Sequence, residues 1–413
     1  MPLLTGARTL CIVACMVAQA VAASVSRAAQ WSMDSSIAFR TEYDDNIALT
    51  TAPHSAVWGM LIAPEIKFSG DTEALKVTGG LRFSVNRYSD SQLNTIDHSL
   101  TLRSSYKTER DVFGLDFDSI RDPTLVSELL ETGVVQAYRQ RNELTANPSW
   151  RHYLTESTAI TASYGYQDVR YAETQNTSLI DYRDQHASFG LLSNLTEKDI
   201  VNVSAYYDWY ETNPKTFEAK TYGIQAQYDH AFSETLRGTL GAGVRNTRST
   251  QSSQALVCDG PILFGVCSGS VSPVTVVATD RSTGFTFLGS IDKKFETAVL
   301  TGQLSREIYP TGVGALVQTD RLGVTWTQQW SPTVNFFVDG SVYHSQYLGN
   351  LIVGSDSRFY RIEPRITWRM TEDWTLLGGY SYSHVKYEGD GAASANVVYV
   401  VLSYTFPKLD VSR

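Results

Sequence analysis

Polar and apolar residues alternate one by one over long stretches of this chain. In residues 75–86 Leu, Val and Phe alternate with Lys, Thr, Arg, Ser and Asn, and residues 321–327 and 360–369 follow the same rule. A period of two predicts β-strands with one apolar and one polar face. The alternating runs are about 10–13 residues long, whereas strands of soluble sheets average about 5–6 residues. Strands of about 9–11 tilted residues are those that cross a membrane.

Two kinds of connection separate these strands. The short ones combine an apolar or aromatic residue with Ser or Thr and usually Glu, a composition that favours tight turns. They are residues 69–75, 107–112, 154–159, 195–200, 232–237, 294–299, 330–335 and 370–375. The long ones are residues 44–55, 89–95, 123–138, 172–181, 212–218, 250–282, 310–316, 348–356 and 388–394. Eight short turns and nine long loops join about 18 strands. This predicts an all-β fold, a transmembrane antiparallel up-and-down β-barrel with short periplasmic turns and long extracellular loops.

The aromatic residues and the composition support a barrel in a membrane. Tryptophans fall beside both kinds of connection, as in the two aromatic girdles of such barrels. Mean hydropathy is −0.19, and after the N-terminus no apolar run approaches the ~20 residues of a spanning helix. The formal net charge of −9 argues against nucleic acid as a partner. A soluble β protein would need another place to bury eighteen apolar faces.

The N-terminus has the features of a secretory signal peptide. Residues 9–23 are apolar and end in small residues, so we expect a signal at residues 1–23, with cleavage as late as residue 28. A lipobox reading, with Cys15 lipidated, is the alternative. The barrel is predicted for residues 24–406 and a periplasmic tail for residues 407–413. The last strand, Asn396–Phe406, resembles the signal that the barrel-assembly machinery reads.

Two cysteines follow the signal. Cys258 and Cys267 lie in a Ser/Gly/Val-rich stretch, and in an exported protein we expect them to form a disulfide that closes a loop. Two thiols without nearby histidines do not complete a tetrahedral metal site. The sequence therefore predicts no metal and no cofactor.

If the apolar faces meet lipid, the polar faces line a lumen wide enough for an aqueous channel. Charges of both signs could brace the wall, or they could form a polar track for a hydrated substrate, including an anionic one. Arg is more frequent than Lys, and its planar fork suits carboxylates. Arg361, Glu363 and Arg365 form the densest charged row and are the first candidates for a constriction. The predicted substrate path comprises Arg82, Arg103, Arg151, Arg321, Arg361, Glu363, Arg365, Arg369, Tyr206 and Tyr343. The tyrosines could stack on sugar rings or simply fill space.

Two loops are candidate plugs. In residues 125–139, Leu125, Leu129 and Leu130 recur at helical spacing, and Gly133 could end the helix. This short helix could fold inward and narrow the pore, or it could cap the barrel from outside. The loop 250–282, with its expected disulfide, is the other candidate plug or lid.

An enzyme built into the wall is not favoured. Asp97 adjoins His98, and Asp184 lies close to His186, but no spacing shows that a nucleophile, a base and an orienting group converge. We therefore expect no catalytic residues.

Several motifs resemble the β-barrel porin 2 family, whose members are found in exopolysaccharide gene clusters of Gram-negative bacteria. The resemblance covers most of the mature chain. It implies an outer-membrane barrel that exports a secreted polysaccharide, with periplasmic export proteins as candidate partners. A general or substrate-selective diffusion porin is the alternative, and a barrel that transports nothing is the third hypothesis. The matching residues are Glu42–Asn46, Ile120–Thr124, Ser127–Leu129, Thr132–Val134, Asn147–Trp150, Leu154–Glu156 and Ala162–Tyr166, with prolines at Pro64, Pro148 and Pro364.

Overall fold

The computed structural model describes residues 30–51, 54–134, 137–172, 174, 177–259, 262–263, 266–267, 270–348, 356–388 and 391–412. The predicted signal peptide lies outside the described residues. The described chain is almost entirely β-strand. The eighteen long strands are β1 (Gln30–Asp44), β2 (Val57–Asp71), β3 (Leu75–Tyr88), β4 (Thr95–Lys107), β5 (Asp111–Pro123), β6 (Gln140–Tyr153), β7 (Thr158–Tyr171), β8 (Asp181–Asn194), β9 (Asp199–Asn213), β10 (Phe217–Ser233), β11 (Leu236–Cys258), β12 (Val271–Lys294), β13 (Ala298–Thr311), β14 (Ala315–Gln329), β15 (Val334–Tyr347), β16 (Ser357–Arg369), β17 (Trp374–Tyr387) and β18 (Gly391–Thr405). The helical elements are a 3-10 turn (Ser91–Leu93) and the helix α1 (Glu128–Thr132).

The strands form one closed barrel. Each pairs antiparallel with its neighbours along the chain, and β1 closes the ring against β18 from Ser36↔Thr405 to Asp44↔Val397. The predicted all-β barrel of about 18 strands is confirmed. The last strand begins at Gly391, five residues before the predicted start.

The two faces of the wall differ as the alternation predicts. Outward residues such as Leu240 and Val244 are 69% and 66% exposed, which is where a transmembrane barrel contacts lipid. The tryptophans near the strand ends also face outward, among them Trp58, Trp330 and Trp368. No helix among the described residues is long and apolar enough to cross a bilayer.

The short turns show why Ser and Thr recur in them. The hydroxyl of Thr72 accepts a hydrogen bond of 2.9 Å from the backbone N–H of Leu75. The same bond, residue i to i+3, closes the turns at Thr108, Thr155, Ser331 and Thr371. These hydroxyls act as acceptors that close the short turns at one end of the barrel. Because successive strands run up and down, the long connections lie at the other end.

The predicted loop 250–282 is wrong for most of its length. Here β11 and β12 continue as a long hairpin, paired from Gln251↔Ala278 to Cys258↔Val271. Within it, Ile262–Leu263 pairs with Val266–Cys267. Cys258 is disulfide-bonded, and its pairing with Cys267 stays a prediction. We call residues 252–277 the arm.

The C-terminal residues, expected as a tail, contain a further short strand. Leu409–Ser412 pairs antiparallel with Gln30–Met33 of β1, in register from Gln30↔Ser412 to Met33↔Leu409. β1 is therefore paired with the end of the chain over its first four residues and with β18 over its later ones.

Candidate functional site: a polar lumen crossed by an inward segment

The connection between β5 and β6 contains α1, and it folds into the barrel. We call residues 124–134 the inward segment. α1 ends at Gly133, which has φ 70°, and the Gly133 N–H donates to the carbonyl of Leu129 at 2.8 Å. Only glycine adopts this left-handed conformation without strain. A Cβ at Gly133 would also lie 2.6 Å from the Cβ of Tyr343. The predicted helix and its glycine end are therefore present, and the helix points inward.

Glu128 fixes one end of α1. Its side chain is fully buried, and its two carboxylate oxygens accept hydrogen bonds of 2.7 Å each, one from the Tyr171 hydroxyl and one from the Gly312 N–H. Burial raises the pKa of Glu128, while these two donors and Arg141 act in the opposite direction. Tyr171 ends β7 and Gly312 follows β13, so one carboxylate connects the segment to two parts of the wall.

The carbonyls at the C-terminal end of α1 bind the opposite wall. The carbonyl of Thr132 accepts from Thr319 of β14 at 3.0 Å and from Ser345 of β15. The Tyr343 hydroxyl donates to the carbonyl of Leu130 at 2.8 Å. Orphan carbonyls at a helix end need partners, and here strands of the far wall provide them.

Apolar packing holds the middle of the segment. Leu129 is buried with Leu49, Tyr343, Phe359 and Val385. Phe359 and Val385 face the lumen, where a water-filled channel would normally carry polar residues. Their contact with Leu129 explains why this part of the wall is apolar.

The inward segment divides the lumen. It leaves the wall between β5 and β6 and reaches β14–β16, so it crosses the barrel like a chord. A cavity of about 630 Å³ lies on one side, lined by β1–β5 and β16–β18 together with the inward segment. A cavity of about 360 Å³ lies on the other side, lined by residues of β7–β10 and β12–β14 with the adjoining turn.

The larger cavity holds linked charges of both signs. Arg361 forms an ion pair of 2.5 Å with Glu363, and Tyr399 donates a hydrogen bond to the same carboxylate. The guanidinium of Arg40 lies 4.0 Å from the centre of the Tyr399 ring and forms an ion pair of 2.6 Å with Glu42. Charge and aromatic surface are thus presented side by side.

The smaller cavity is lined by tyrosines and carboxylates. The ring of Tyr206 stacks on His186 with centroids 5.9 Å apart, and His186 hydrogen bonds to Asp208. The sequence pairing of Asp184 with His186 is therefore replaced by a pairing with Asp208 of the neighbouring strand. Tyr210 and Tyr309 complete the aromatic lining.

The other predicted path residues lie at different heights in the lumen. Arg82 lines the larger cavity. Arg103 pairs with Asp118 at 2.8 Å and Asp116 at 3.5 Å, and so braces the wall. Arg365 stacks 3.9 Å from the centre of the Phe337 ring. Arg369 donates to the Pro332 carbonyl at 3.0 Å in a short turn. Arg151 faces the lumen in the short-turn half of β6.

Arg361 and Glu363 line the larger cavity beside the inward segment, and their place at a constriction stays a prediction. The role predicted for Tyr343 needs correction. Tyr343 is buried, and the guanidinium of Arg321 lies 5.1 Å from its ring centre. Its ring supports the inward segment and is not open to a passing sugar.

The sequence analysis gave no functional role to Glu128 or Glu131. Glu131 forms an ion pair of 3.5 Å with the buried Arg141. Although 46% of the Glu131 side chain is open to the lumen, the enclosing protein raises its pKa to about 7, with Arg141 opposing and Glu143 adding to the rise. Two glutamates among leucines in a helical loop were the available signal. Among the described residues no three metal-ligating side chains gather.

No family model matches the chain, and no curated protein does. Among solved structures it is similar to OccAB3 of Acinetobacter baumannii, with 10% identity and a TM-score of 0.43 over 92% of this chain and 99% of that chain. It is also similar to OccK2 (OpdF) of Pseudomonas aeruginosa, solved in complex with glucuronate, with 7% identity and a TM-score of 0.45 over 91% of this chain and 98% of that chain. A third similar structure is the ferric-catecholate import receptor Fiu of E. coli K12, with 9% identity and a TM-score of 0.47 over 91% of this chain and 81% of that chain. At this level the likeness concerns the fold alone and adds nothing to the question of function.

Proposed function

We propose that this protein is an outer-membrane channel that exports a secreted exopolysaccharide from a Gram-negative cell. The observation that supports a channel is a polar lumen crossed by a segment that hydrogen bonds hold at its two ends and apolar packing holds in its middle. Each such bond contributes about 1 kcal/mol net, so the segment can be held in place and still be displaced. No covalent chemistry is required of this chain, and passage is passive.

The substrate class rests on the sequence motifs at Glu42–Asn46 and Asn147–Trp150. The larger cavity supports it through the guanidiniums of Arg40, Arg82 and Arg361. Arg40 and Arg361 are ion-paired with Glu42 and Glu363, and the carboxylates of an anionic polymer would exchange with these partners. The inward segment would keep the pore shut until a periplasmic export protein or the polymer displaces it. The last strand would be read by the barrel-assembly machinery.

A substrate-selective diffusion porin is the second candidate, and one observation favours it. With the segment inward, the two cavities of about 630 and 360 Å³ have the size of small-ligand sites. A sugar acid fits such a space, whereas a polymer strand needs the segment to move.

The first test compares secreted with periplasmic polysaccharide in a strain carrying an in-frame deletion of the gene, with a plasmid copy as control. Export predicts less extracellular polymer and periplasmic build-up. Unchanged polymer output would reject export and leave the diffusion porin, tested by swelling of liposomes in glucuronate.

The second test locks the segment. Thr132→Cys with Ser345→Cys places one thiol on the segment and one on β15, at two residues joined by a hydrogen bond from the Ser345 hydroxyl to the Thr132 backbone carbonyl. Export predicts that the oxidised double variant behaves like the deletion and that a reductant restores secretion. Each single variant is the matched control.

A further inference from the structure

The ladder between β12 and β13 stops part-way along both strands. It runs from Phe287↔Arg306 to Lys294↔Val299. Beyond it, Glu307–Thr311 pairs only with β14, and the rest of β12 pairs only with β11. At about 3.3 Å per residue, the five residues Glu307–Thr311 leave about 17 Å of unpaired edge.

An unpaired edge is unusual in a barrel wall, because backbone groups in lipid need partners. Pro310 lies on this edge and has no N–H, which removes one donor. The opening begins beside Phe285, whose side chain is 53% exposed on the outer face and whose partner on β11 is the outward Val244. The gap therefore lies at the long-loop end of the apolar band.

The smaller cavity reaches this gap. Its lining includes Thr286 from the edge of β12 and Glu307, Ile308, Tyr309 and Pro310 from the edge of β13. Four of the five residues Glu307–Thr311 of the unpaired edge thus border the cavity.

Side-chain contacts cross the gap where backbone hydrogen bonds between β12 and β13 are missing. Arg245 of β11 donates to Gln318 of β14 at 2.8 Å, across both β12 and β13. The guanidinium of Arg306 lies 4.5 Å from the ring centre of Phe285 while it forms an ion pair of 2.5 Å with Asp320. Side-chain contacts therefore connect the two edges where backbone hydrogen bonds do not.

The residues that line the smaller cavity restrict the chemical class of ligand that it can bind. Tyr206 and Tyr309 offer rings to a sugar, and Ile308 and Pro310 offer apolar surface at the gap. The carboxylates of Asp184, Asp208 and Glu307 accept hydroxyl donors and repel anions, while Arg245 is engaged with Gln318. The described lining contains no Lys or Arg.

We infer that the gap between β12 and β13 is a lateral binding site for an amphiphile with an uncharged, hydroxyl-rich head. The head occupies the smaller cavity and the acyl chain passes between the strands into the outer leaflet. This site stands whichever solute the main lumen carries, because it lies on the other side of the inward segment.

Site-specific photo-crosslinking tests the site in the full-length protein in nanodiscs. The variant Tyr309→p-benzoylphenylalanine places the probe at the gap. The matched control is Tyr399→p-benzoylphenylalanine, because Tyr399 also faces the lumen and belongs to the continuous β17–β18 ladder. The radiolabelled probes are dodecyl maltoside, dodecyl sulfate and maltose.

The expected result is labelling by dodecyl maltoside at position 309 and little at position 399. Dodecyl sulfate should label position 309 about tenfold less, because like charges oppose its head. Maltose should label it weakly because it lacks the chain. Equal labelling at the two positions, or equal labelling by maltose and dodecyl maltoside, would overturn the site. If the Tyr309 variant fails to fold, as judged by heat-modifiable gel mobility, Ile308→p-benzoylphenylalanine with Leu300→p-benzoylphenylalanine as control repeats the comparison at the outer face.

Discussion

Two long connections at the same end of the barrel take opposite paths. The inward segment turns into the lumen, and its Glu128 and Leu129 are buried. The arm projects from the barrel, and its valines at positions 257, 271, 274, 276 and 277 are exposed. Both had the sequence features of a plug, and one of them is a plug.

The two connections take different paths because different binding partners are available to them. The inward segment meets hydroxyls at Thr319 and Ser345, a hydroxyl at Tyr171 and an apolar patch around Phe359. The ladder with β10 ends at Gln251, and after the bond from the Ser252 N–H to the Thr216 carbonyl the two strands of the arm pair with each other. A loop enters a lumen when the far wall supplies partners for its buried polar groups, since unpaired ones are costly.

The largest effect should come from removing the inward segment. Replacing residues 125–134 by a Gly/Ser linker should raise single-channel conductance in planar bilayers several-fold, because an eighteen-stranded barrel is wide enough for a water-filled channel. Shortening the arm by deleting residues 252–277 is the control and should leave conductance unchanged. The assignment of the plug would be wrong if the two deletions gave the same conductance.

A smaller effect should follow from Glu128→Ala. It leaves the Tyr171 hydroxyl and the Gly312 N–H buried without an acceptor, at a cost of about 1–3 kcal/mol for each unsatisfied group. The open fraction in single-channel records should rise at least about tenfold, since 1.4 kcal/mol is a factor of ten. Glu372→Ala, at an exposed position in a short turn, is the matched control. Identical records for both variants would show that Glu128 does not hold the segment.

The next effect is pH dependence through Glu131. Its pKa in the inward state is raised to about 7, above the ordinary value, so the inward state binds the proton more tightly. Protonated Glu131 stabilises the inward state of the segment. This stabilisation is complete below the ordinary pKa of a glutamate and is lost as pH rises through about 7. Open probability should therefore increase between pH 5 and pH 8, and Glu131→Gln should flatten that rise. An unchanged pH profile in Glu131→Gln would assign the dependence to another group.

The smallest effect on the channel should come from Cys258→Ser. The disulfide lies in the arm, away from the lumen, so conductance should stay the same. The arm itself should become more sensitive to protease, because a disulfide restricts the open chain. A change in conductance would mean that the arm reaches the pore.

Most of the barrel was predictable because a wall between lipid and water imposes alternation on every strand. Ser and Thr at the short turns marked one end, and the structure shows their hydroxyls closing those turns. The prediction failed at residues 250–282, where Gln251–Gln254 has no apolar member. In the arm both faces are exposed, so a strand there needs no alternation.

Only the local structure of the site, the short helix in the loop, was predictable from the sequence. Leucine spacing and Gly133 gave the helix, but its direction depends on partners far along the chain, such as Gly312 and Ser345. For the same reason the inward orientation of Tyr343 was predicted and its role was not. A single sequence shows which face a side chain is on and does not show which loop covers it.

The short strand at the C-terminus has a topological consequence. Because Ser412 lies opposite Gln30, the first and last described residues are neighbours at the short-turn end. Termini that lie this close favour circular permutation. A linker from Ser412 to Gln30, with new ends opened at a turn such as residues 234–235, would keep every backbone pair of β1 with β18. The order in which strands leave the ribosome could then be varied without changing the finished barrel.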